Sequence, residues 1–455
     1  MSSDLPSYEQ AAAIVAEHAR AISECRQSRT EHLSLLSAAG RILASPLIGD
    51  DDQPPFPRST RDGYACRAAE VSTHIALPVV GSTHAGQPPS GPLPASAAWE
   101  IMTGAPVPQG ADCVVMLEHV EKSGNAIRLA PARAIAPGDN IVAQGAQSRR
   151  GDQLLASGVS LGPAQIALAA SCGYSTVQVF RRPRVAILTT GDELVPVDTT
   201  PGPGKIRNSN ASMLAALVTA AGAEPIVLPT AADTAEALDA ALAQAQQADM
   251  LLISGGVSAG KYDLVEPALA RLGAQFHFTG VKIQPGKPLV FGQLPRILKD
   301  GEPPRAPSAH SSEKRQGTTS VVPINPENEE QASAPVHTQI PLFGLPGNPI
   351  SSAATFLLFA APVLAALAGS RETYPRFVLA QLAADTDRKA KPGLTRFLPA
   401  FCTFNPSVNA LPQVATVLWQ GSGDLTAFAQ SNCFLVIPED TAHLEAGSTV
   451  RILLH

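Results

Sequence analysis

The stretch DMLLISGGVSAGKYDLVEPAL, residues 249–269, decides how the centre of this chain is read. Met250-Leu251-Leu252-Ile253 is an apolar run that reads as a buried strand. Gly255 to Lys261 then fits G-x-x-x-x-G-K, all but the last letter of a phosphate-binding P-loop. That motif next requires Ser or Thr to hold magnesium, and here Tyr262 and Asp263 follow. Glycines after a strand let backbone N–H groups converge on an anion, and a following helix N-terminus adds its dipole. Three readings stand: an NTPase loop lacking its hydroxyl, a tight turn, and a phosphate cradle of another kind. Tyr262 argues against the first, because a phenol does not coordinate as Ser or Thr does.

The neighbouring segments extend the same architecture. RVAILTT from Arg184 reads as a strand, followed by a helix near Asn210 to Ala221. EPIVLPTA reads as a second strand, DTAEALDAALAQAQQAD as a helix and MLLISGG as a third strand. Strands alternating with helices of this length indicate βαβ units and a parallel sheet covered on both faces. Ligands of such sheets sit beyond the carboxyl ends of the strands, where TTGDEL and SGGVSAGKYD both fall. Upstream, Ser7 to Ile22 has helical spacing behind a Ser cap. Between about 70 and 145, ALPVVG, AWEIMTGAPVP, DCVVMLEHV, AIRLAP and NIVAQG alternate with Gly and Pro turns, the pattern of a small inserted β domain. FLPAFC, QVATVLWQ, NCFLVIP and TVRILL make a second β-rich unit after Tyr374. Arg296 to Gln339, rich in Pro, Ser, Glu and Gln, reads as a disordered insertion.

Bulk properties bound the function. A chain of 455 residues with 45% hydrophobic content builds roughly three to four domains. A net charge of −6 argues against a general nucleic-acid binder. Six scattered cysteines, without C-x-x-C spacing, read as buried reduced thiols in a cytoplasmic setting. No signal peptide is visible, and no apolar run approaches the length of a membrane span, so neither nucleic acid nor membrane is expected as a partner.

Several short stretches carry possible chemistry. Asp192 and Glu193 are adjacent carboxylates at a strand end, suited to a metal, a hydroxyl-bearing ligand or the next helix. Lys205, Arg207, Asn208 and Ser209 put basic and amide groups just before a helix, which suits a phosphate or carboxylate; isolated surface charge is the plainer reading. Lys282 and Lys287 frame a Pro-Gly turn, and Pro346 and Pro349 fix a second turn, LPGNP, which serves either a ligand or a structural elbow. Asp62 in RSTRDGYA and Thr103 in MTGAPVP stand out in the inserted β domain, though an Asx turn and a hairpin also account for them.

Taken together, RSTRDGYA, MTGAPVP, PGDNI, TTGDEL, GKIRNSN, SGGVSAGKYD, QPGKP, LPGNP and QGSGDL resemble, in this order, the molybdopterin molybdenumtransferase family, which is similar to the E domain of gephyrin. The resemblance implies an α/β fold with β-rich accessory domains in an elongated, multidomain subunit. Its parts are a discontinuous N-terminal piece (1–48 and 148–182), an inserted β domain (49–147), a central parallel-sheet molybdopterin-binding domain (183–371, with the insertion 296–339) and a C-terminal β-barrel-like domain (372–455). It implies a homodimer whose active site lies at the subunit interface. The implied reaction joins molybdate to adenylylated molybdopterin and releases AMP in the presence of Mg2+. Molybdopterin adenylyltransferase and apo-molybdoenzymes are the implied transient partners, and a non-catalytic scaffold of gephyrin type is the alternative.

Carried over by position, the resemblance makes Asp62, Thr103, Glu193 and Asp263 catalytic. Asp139, Glu193, Asp233 and Asp263 become the acidic groups that bind magnesium or orient ligand. Gly255, Gly256, Ser258, Gly260, Lys205, Arg207, Asn208, Ser209, Lys282, Lys287, Pro346, Pro349 and Ser422 become the substrate-binding set. The chain departs from the family at Gln284 and Gly280, where basic residues are common, and at Pro399, with Arg396 nearby but shifted.

Overall fold

The computed structural model describes residues 5–24, 29–256, 264–296, 339–386, 393–404 and 410–455. Cys25, Ser258, Gly260, Asp263 and residues 297–338 of the insertion lie outside the described residues. The chain forms two compact units, one of Met1–Glu31 with Phe180–His455 and one of His32–Val179.

The first unit is organised by a six-stranded sheet. Its strands lie in the order Glu224–Val227, Arg184–Thr189, Met250–Ser254, Gln339–Leu345, Val290–Pro295 and Gln275–Phe278. The first four are parallel, with Val185 opposite Met250 and Leu251 opposite Leu342. Val290–Pro295 runs antiparallel to both its neighbours, Gln339–Leu345 and Gln275–Phe278, so a mixed edge completes a sheet that the strand–helix alternation announces only as parallel. All five residues of Met250–Ser254 are buried, because helices cover both faces. One face packs on Tyr8–Glu24, Ser209–Ala220 and the segment from Pro349, the other on Ala235–Ala245 and Val265–Arg271. Each Leu, Ile or Val buried there contributes roughly 1.5–3 kcal/mol, and the stacked Phe291 and Phe343 rings, 4.6 Å apart, fill the middle of the first face.

Pro349–Leu367 is a continuous helical segment, long and apolar enough by composition to cross a membrane, but 78% of it is buried in the structure. It is a core helix. Its middle, Phe356–Ala360, widens into a π turn just before Pro362, where the missing N–H and the proline ring forbid regular α-helical bonding.

The C-terminal strands close into a five-stranded barrel. Thr395–Thr403, Gln413–Thr416, Phe377–Leu382, Thr449–Leu454 and Cys433–Ile437 follow one another, and Cys433–Ile437 returns to pair with Thr395–Thr403. Phe397, Phe434 and Leu453 reach the same core as the sheet helices. The second unit carries another six-stranded sheet, of Cys113–Met116, Gly63–Cys66, Ala98–Ile101, Leu77–Thr83, Ala126–Leu129 and Val120–Ser123. Its pairings are antiparallel except for Leu77–Thr83 with Ala98–Ile101. Cys66, Cys113, Cys172, Cys402 and Cys433 are free and buried.

Asn208 fastens the sheet edge to its helix. Its side-chain oxygen accepts the Ala211 N–H at 3.1 Å and caps Ser209–Ala220. Its NH2 group donates to Thr189 Oγ1 at 2.8 Å and to Thr230 Oγ1 at 3.1 Å. Asn208→Ala removes all three bonds from a buried position, so stability falls by about 1–3 kcal/mol, read as a lower melting temperature. An unchanged melting temperature contradicts this role.

Candidate functional site

At the carboxyl ends of the Arg184 and Met250 strands the first unit opens into a cleft of about 290 Å3. Thr190, Gly191, Glu193 and Asp233 line one side, and Gly255, Gly256, Leu264 and Val265 another. Pro288, Pro346 and Gly347 complete the lining with Leu238. Backbone geometry explains the glycine pair. Gly255 has φ +97° and Gly256 φ +61°, in the left-handed region that glycine alone enters freely. A Cβ at Gly256 would stand 2.8 Å from Thr190 Oγ1 and 2.8 Å from Val265 Cγ2. The turn is therefore pressed against the end of the neighbouring strand, where the Thr190 N–H donates to the Ser254 carbonyl at 3.1 Å.

Three carboxylates crowd the rim. Glu193 folds back so that its Oε2 would lie 2.6 Å from a Cβ built on Gly191. Asp192 Oδ1 accepts the Asp233 N–H at 3.2 Å. Partial burial pushes the Asp233 carboxyl above its ordinary range; a backbone hydrogen bond at Asp192 offsets part of this, and the Asp192 and Glu193 charges add to it. Among the described residues no three His, Cys, Asp or Glu side chains form a metal-holding group.

The other motifs surround the cleft in different ways. GKIRNSN is stitched to TTGDEL by a short parallel ladder, Leu194 opposite Ile206 and Val195 opposite Arg207. Lys205 Nζ donates to the Asp192 carbonyl at 2.5 Å, while Arg207 is exposed. Lys205, Arg207, Asn208, Ser209, Lys282, Lys287 and Pro349 are not lining residues; Pro346 is, and Pro288 lies next to Lys287. The LPGNP turn is held by the C-terminal segment, since Asn348 Nδ2 donates to Ser422 Oγ at 2.9 Å and the Ile350 N–H to the Ser422 carbonyl at 3.0 Å. Ser422 thus fixes the turn that carries Pro346. Two departures have physical reasons. A Cβ at Gly280 would meet Leu5 Cδ2 at 2.8 Å, so a basic side chain there requires the Leu5 side chain to move aside. Arg396 is buried and donates to the Thr441 and Ala442 carbonyls at 2.9 and 2.7 Å, which makes it a structural group.

Thr190 and Asn210 escape the sequence reading. Asn210 Nδ2 donates to Ser254 Oγ at 2.9 Å and to the Gly347 carbonyl at 2.6 Å, joining the SGG and LPGNP turns. A threonine ending a strand and an asparagine inside a helix carry no distinctive sequence signal; only their place in three dimensions marks them.

In the second unit, three motifs converge. Asp62 Oδ1 accepts the Thr103 N–H at 2.6 Å and the Thr103 hydroxyl at 2.8 Å. PGDNI joins them, as the Thr60 N–H donates to the Asn140 carbonyl at 2.9 Å and Ile141 pairs with Ser59. Asp139 Oδ2 accepts the Ala136 N–H at 2.8 Å within its own turn. The Thr103 bonds, backbone first and hydroxyl second, hold the exposed Asp62 carboxyl below the usual range.

Known proteins match the chain throughout. The MoeA N-terminal region (domain I and II) matches residues 6–173, a probable molybdopterin binding domain residues 186–366, and the MoeA C-terminal region (domain IV) residues 381–455. The molybdopterin molybdenumtransferase of Nostoc sp. is 34% identical over 439 residues, covering 94% of this chain and 89% of that one. The chain belongs to the molybdopterin molybdenumtransferase family. The Haemophilus influenzae member is 32% identical, covering 93% of this chain and 94% of its own. A solved structure of the molybdopterin biosynthesis moeA protein from Pyrococcus horikoshii OT3 is 27% identical and superposes with a TM-score of 0.72 over 99% of this chain and 100% of that one. This member of the molybdopterin molybdenumtransferase family is an enzyme of molybdenum cofactor biosynthesis. Every cleft-lining residue falls within 186–366, the segment matched as a probable molybdopterin binding domain.

The Asp62 geometry has a measurable consequence. A folded-state pKa below the ordinary value means that the ionised form is favoured, a contribution present above the ordinary Asp pKa and lost as pH falls through the folded value. Thr103→Ala deletes the hydroxyl bond, so the Asp62 pKa rises toward the ordinary carboxylate value in an NMR titration. An unmoved pKa contradicts the assignment.

Proposed function

We propose that the cleft binds adenylylated molybdopterin and that the chain, working as a homodimer, joins molybdate to it with release of AMP. The observation that carries this reading is the cleft's position. Its left-handed Gly255-Gly256 turn, Thr190 and the Glu193–Asp233 rim all lie in the matched binding domain. Gly255 and Gly256 both line the cleft, so their backbone is within reach of a substrate's phosphate there.

Magnesium fits the donor set at the rim. Glu193 and Asp233 both line the cleft, and Mg2+ is commonly held by one or two carboxylates together with substrate phosphates. Burial chiefly, with the Asp192 and Glu193 charges adding to it, raises the Asp233 pKa, and a divalent cation beside it would favour the ionised form. When bound, the ion neutralises charge on the phosphoanhydride. Glu193 and Asp233 would hold that ion, and Pro346, pinned by Ser422 through Asn348, keeps the cleft wall rigid. Asp62, kept ionised by Thr103, supplies a fixed carboxylate to the reaction. Asp139 supports the loop that joins the Asp62 motif. Asp263, Ser258 and Gly260 keep the roles implied by the resemblance.

The reaction itself tests the reading. Purified protein with adenylylated molybdopterin, molybdate and Mg2+ releases AMP in a molybdate-dependent manner, and Glu193→Gln and Asp62→Asn each lower the rate by about a hundredfold or more. Release that survives both substitutions overturns the residue roles. Tight pterin binding without AMP release replaces the transferase with a binding module.

A further inference from the structure

The helix Tyr8–Glu24 meets the edge strand Gln275–Phe278 through a pair of histidines. The His18 and His277 rings stand 4.0 Å apart, centroid to centroid, and each meets Phe291, at 5.2 and 5.0 Å. The edge strand is irregular at this point. Its register on Val290–Pro295 shifts between Phe276 and Phe278, and these two pack on the cores of opposite sheet faces. His277 occupies the position between them and turns to the helix. His18 Nδ1 donates to the Ile14 carbonyl at 2.8 Å, since a carbonyl only accepts. His277 Nε2 is enclosed and has no hydrogen-bond partner.

Among the described residues, the packed elements bring no counter-charge to this pair. The helix positions three and four residues from His18 are Ile14, Val15, Ala21 and Ile22. Glu9, Glu17, Arg20 and Glu24 of the same helix are exposed, and the Tyr8 ring packs elsewhere, on Phe359, Phe377 and Phe397. Neither Val290–Pro295 nor the helical segment Pro349–Leu367 contains a charged residue. Arg271, just before the edge strand, is exposed. A second proton on His277 therefore makes Nε2 a charged donor without an acceptor, which costs more than a neutral one out of water. Charging His18 as well sets like charges on two rings only 4.0 Å apart.

We propose that His18 and His277 form a pH-sensitive latch, which holds the N-terminal helix on the sheet edge while both rings are neutral and releases it in mild acid. Burial first, and His18 second, hold the His277 pKa below the ordinary value. Between the ordinary His value of about 6.5 and the lower folded one, the unfolded segment binds more protons than the folded. The latch is thus complete above that window and is lost as the pH falls through it. It reaches the cleft by a short path. The edge strand leads into the stretch that ends at Pro288, a lining residue. The segment before the helix holds that same stretch, as the Lys282 N–H donates to the Pro6 carbonyl at 2.9 Å and Leu5 lies against Gly280. The inference does not depend on what the cleft binds.

Hydrogen exchange of the full-length protein, corrected for intrinsic rates, is compared at pH 7.5 and pH 5.5. Residues 8–24 and 275–288 are expected to open about tenfold more often at the lower pH, the equivalent of one pKa unit. His277→Phe keeps a ring in place without a charge and is expected to abolish that difference. Equal protection of the wild type at both pH values overturns the latch, and so does an acid response that His277→Phe leaves intact. A second reading covers the case in which that variant does not fold. In an NMR titration His277 ionises below the ordinary His value, and His18→Phe raises its pKa; an unmoved pKa overturns the pairing.

Discussion

The end of the Met250–Ser254 strand is the constraint on which the site depends. Ser254 is wholly buried, and its carbonyl and hydroxyl accept from Thr190 and Asn210. Those two bonds lock three loops from separate parts of the chain to one point. The glycine turn that follows then has no freedom to relax, because a side chain at Gly256 would collide with the Thr190 hydroxyl. A rigid turn with its backbone exposed is what an anionic substrate needs. Its position at the carboxyl end of parallel strands follows from the fold class.

A second consequence is electrostatic. Bringing the TTGDEL and Asp233 loops to adjacent strand ends forces Asp192, Glu193 and Asp233 close together. Like charges held at one rim put the free protein under a tension that adds to the burial which chiefly raises the Asp233 pKa. The chain sustains it because the loops are fixed by backbone bonds, Ile206 to Glu193 and Asn208 to Val195 among them. The second unit uses a different device. Asp62 stays exposed and ionised because Thr103 offers two donors to a single oxygen. One carboxylate is pushed toward protonation and another away from it by local geometry alone.

How much of this the sequence discloses depends on how local each feature is. The strands RVAILTT and MLLIS are plain because both faces of the sheet are covered, so the runs are continuously apolar. The antiparallel edge is not plain: Gln275–Phe278 pairs with Val290–Pro295, which pairs with Gln339–Leu345 across a long intervening segment. Barrel closure by Cys433–Ile437 on Thr395–Thr403 is likewise a long-range choice without a local signature. At the site, Gly255, Gly256, Glu193 and Asp233 are legible as turn glycines and strand-end carboxylates. Asn208 and Asn210 show the limit. They are two residues apart at one helix start, and the helix turns the first into a cap, its amide spent on Ala211, Thr189 and Thr230, and the second toward Ser254 and Gly347. Composition cannot distinguish them.

The central claim is that one rigid cleft, walled by the glycine turn that follows Ser254, receives the adenylylated pterin. Hydrogen exchange followed by mass spectrometry, with and without adenylylated molybdopterin, tests it directly. The account predicts slowed exchange concentrated at residues 190–193, 254–256 and 346–348, with the outer strands of the C-terminal barrel unchanged. Protection confined to other segments, with these three turns unaffected by a ligand that binds, would contradict it.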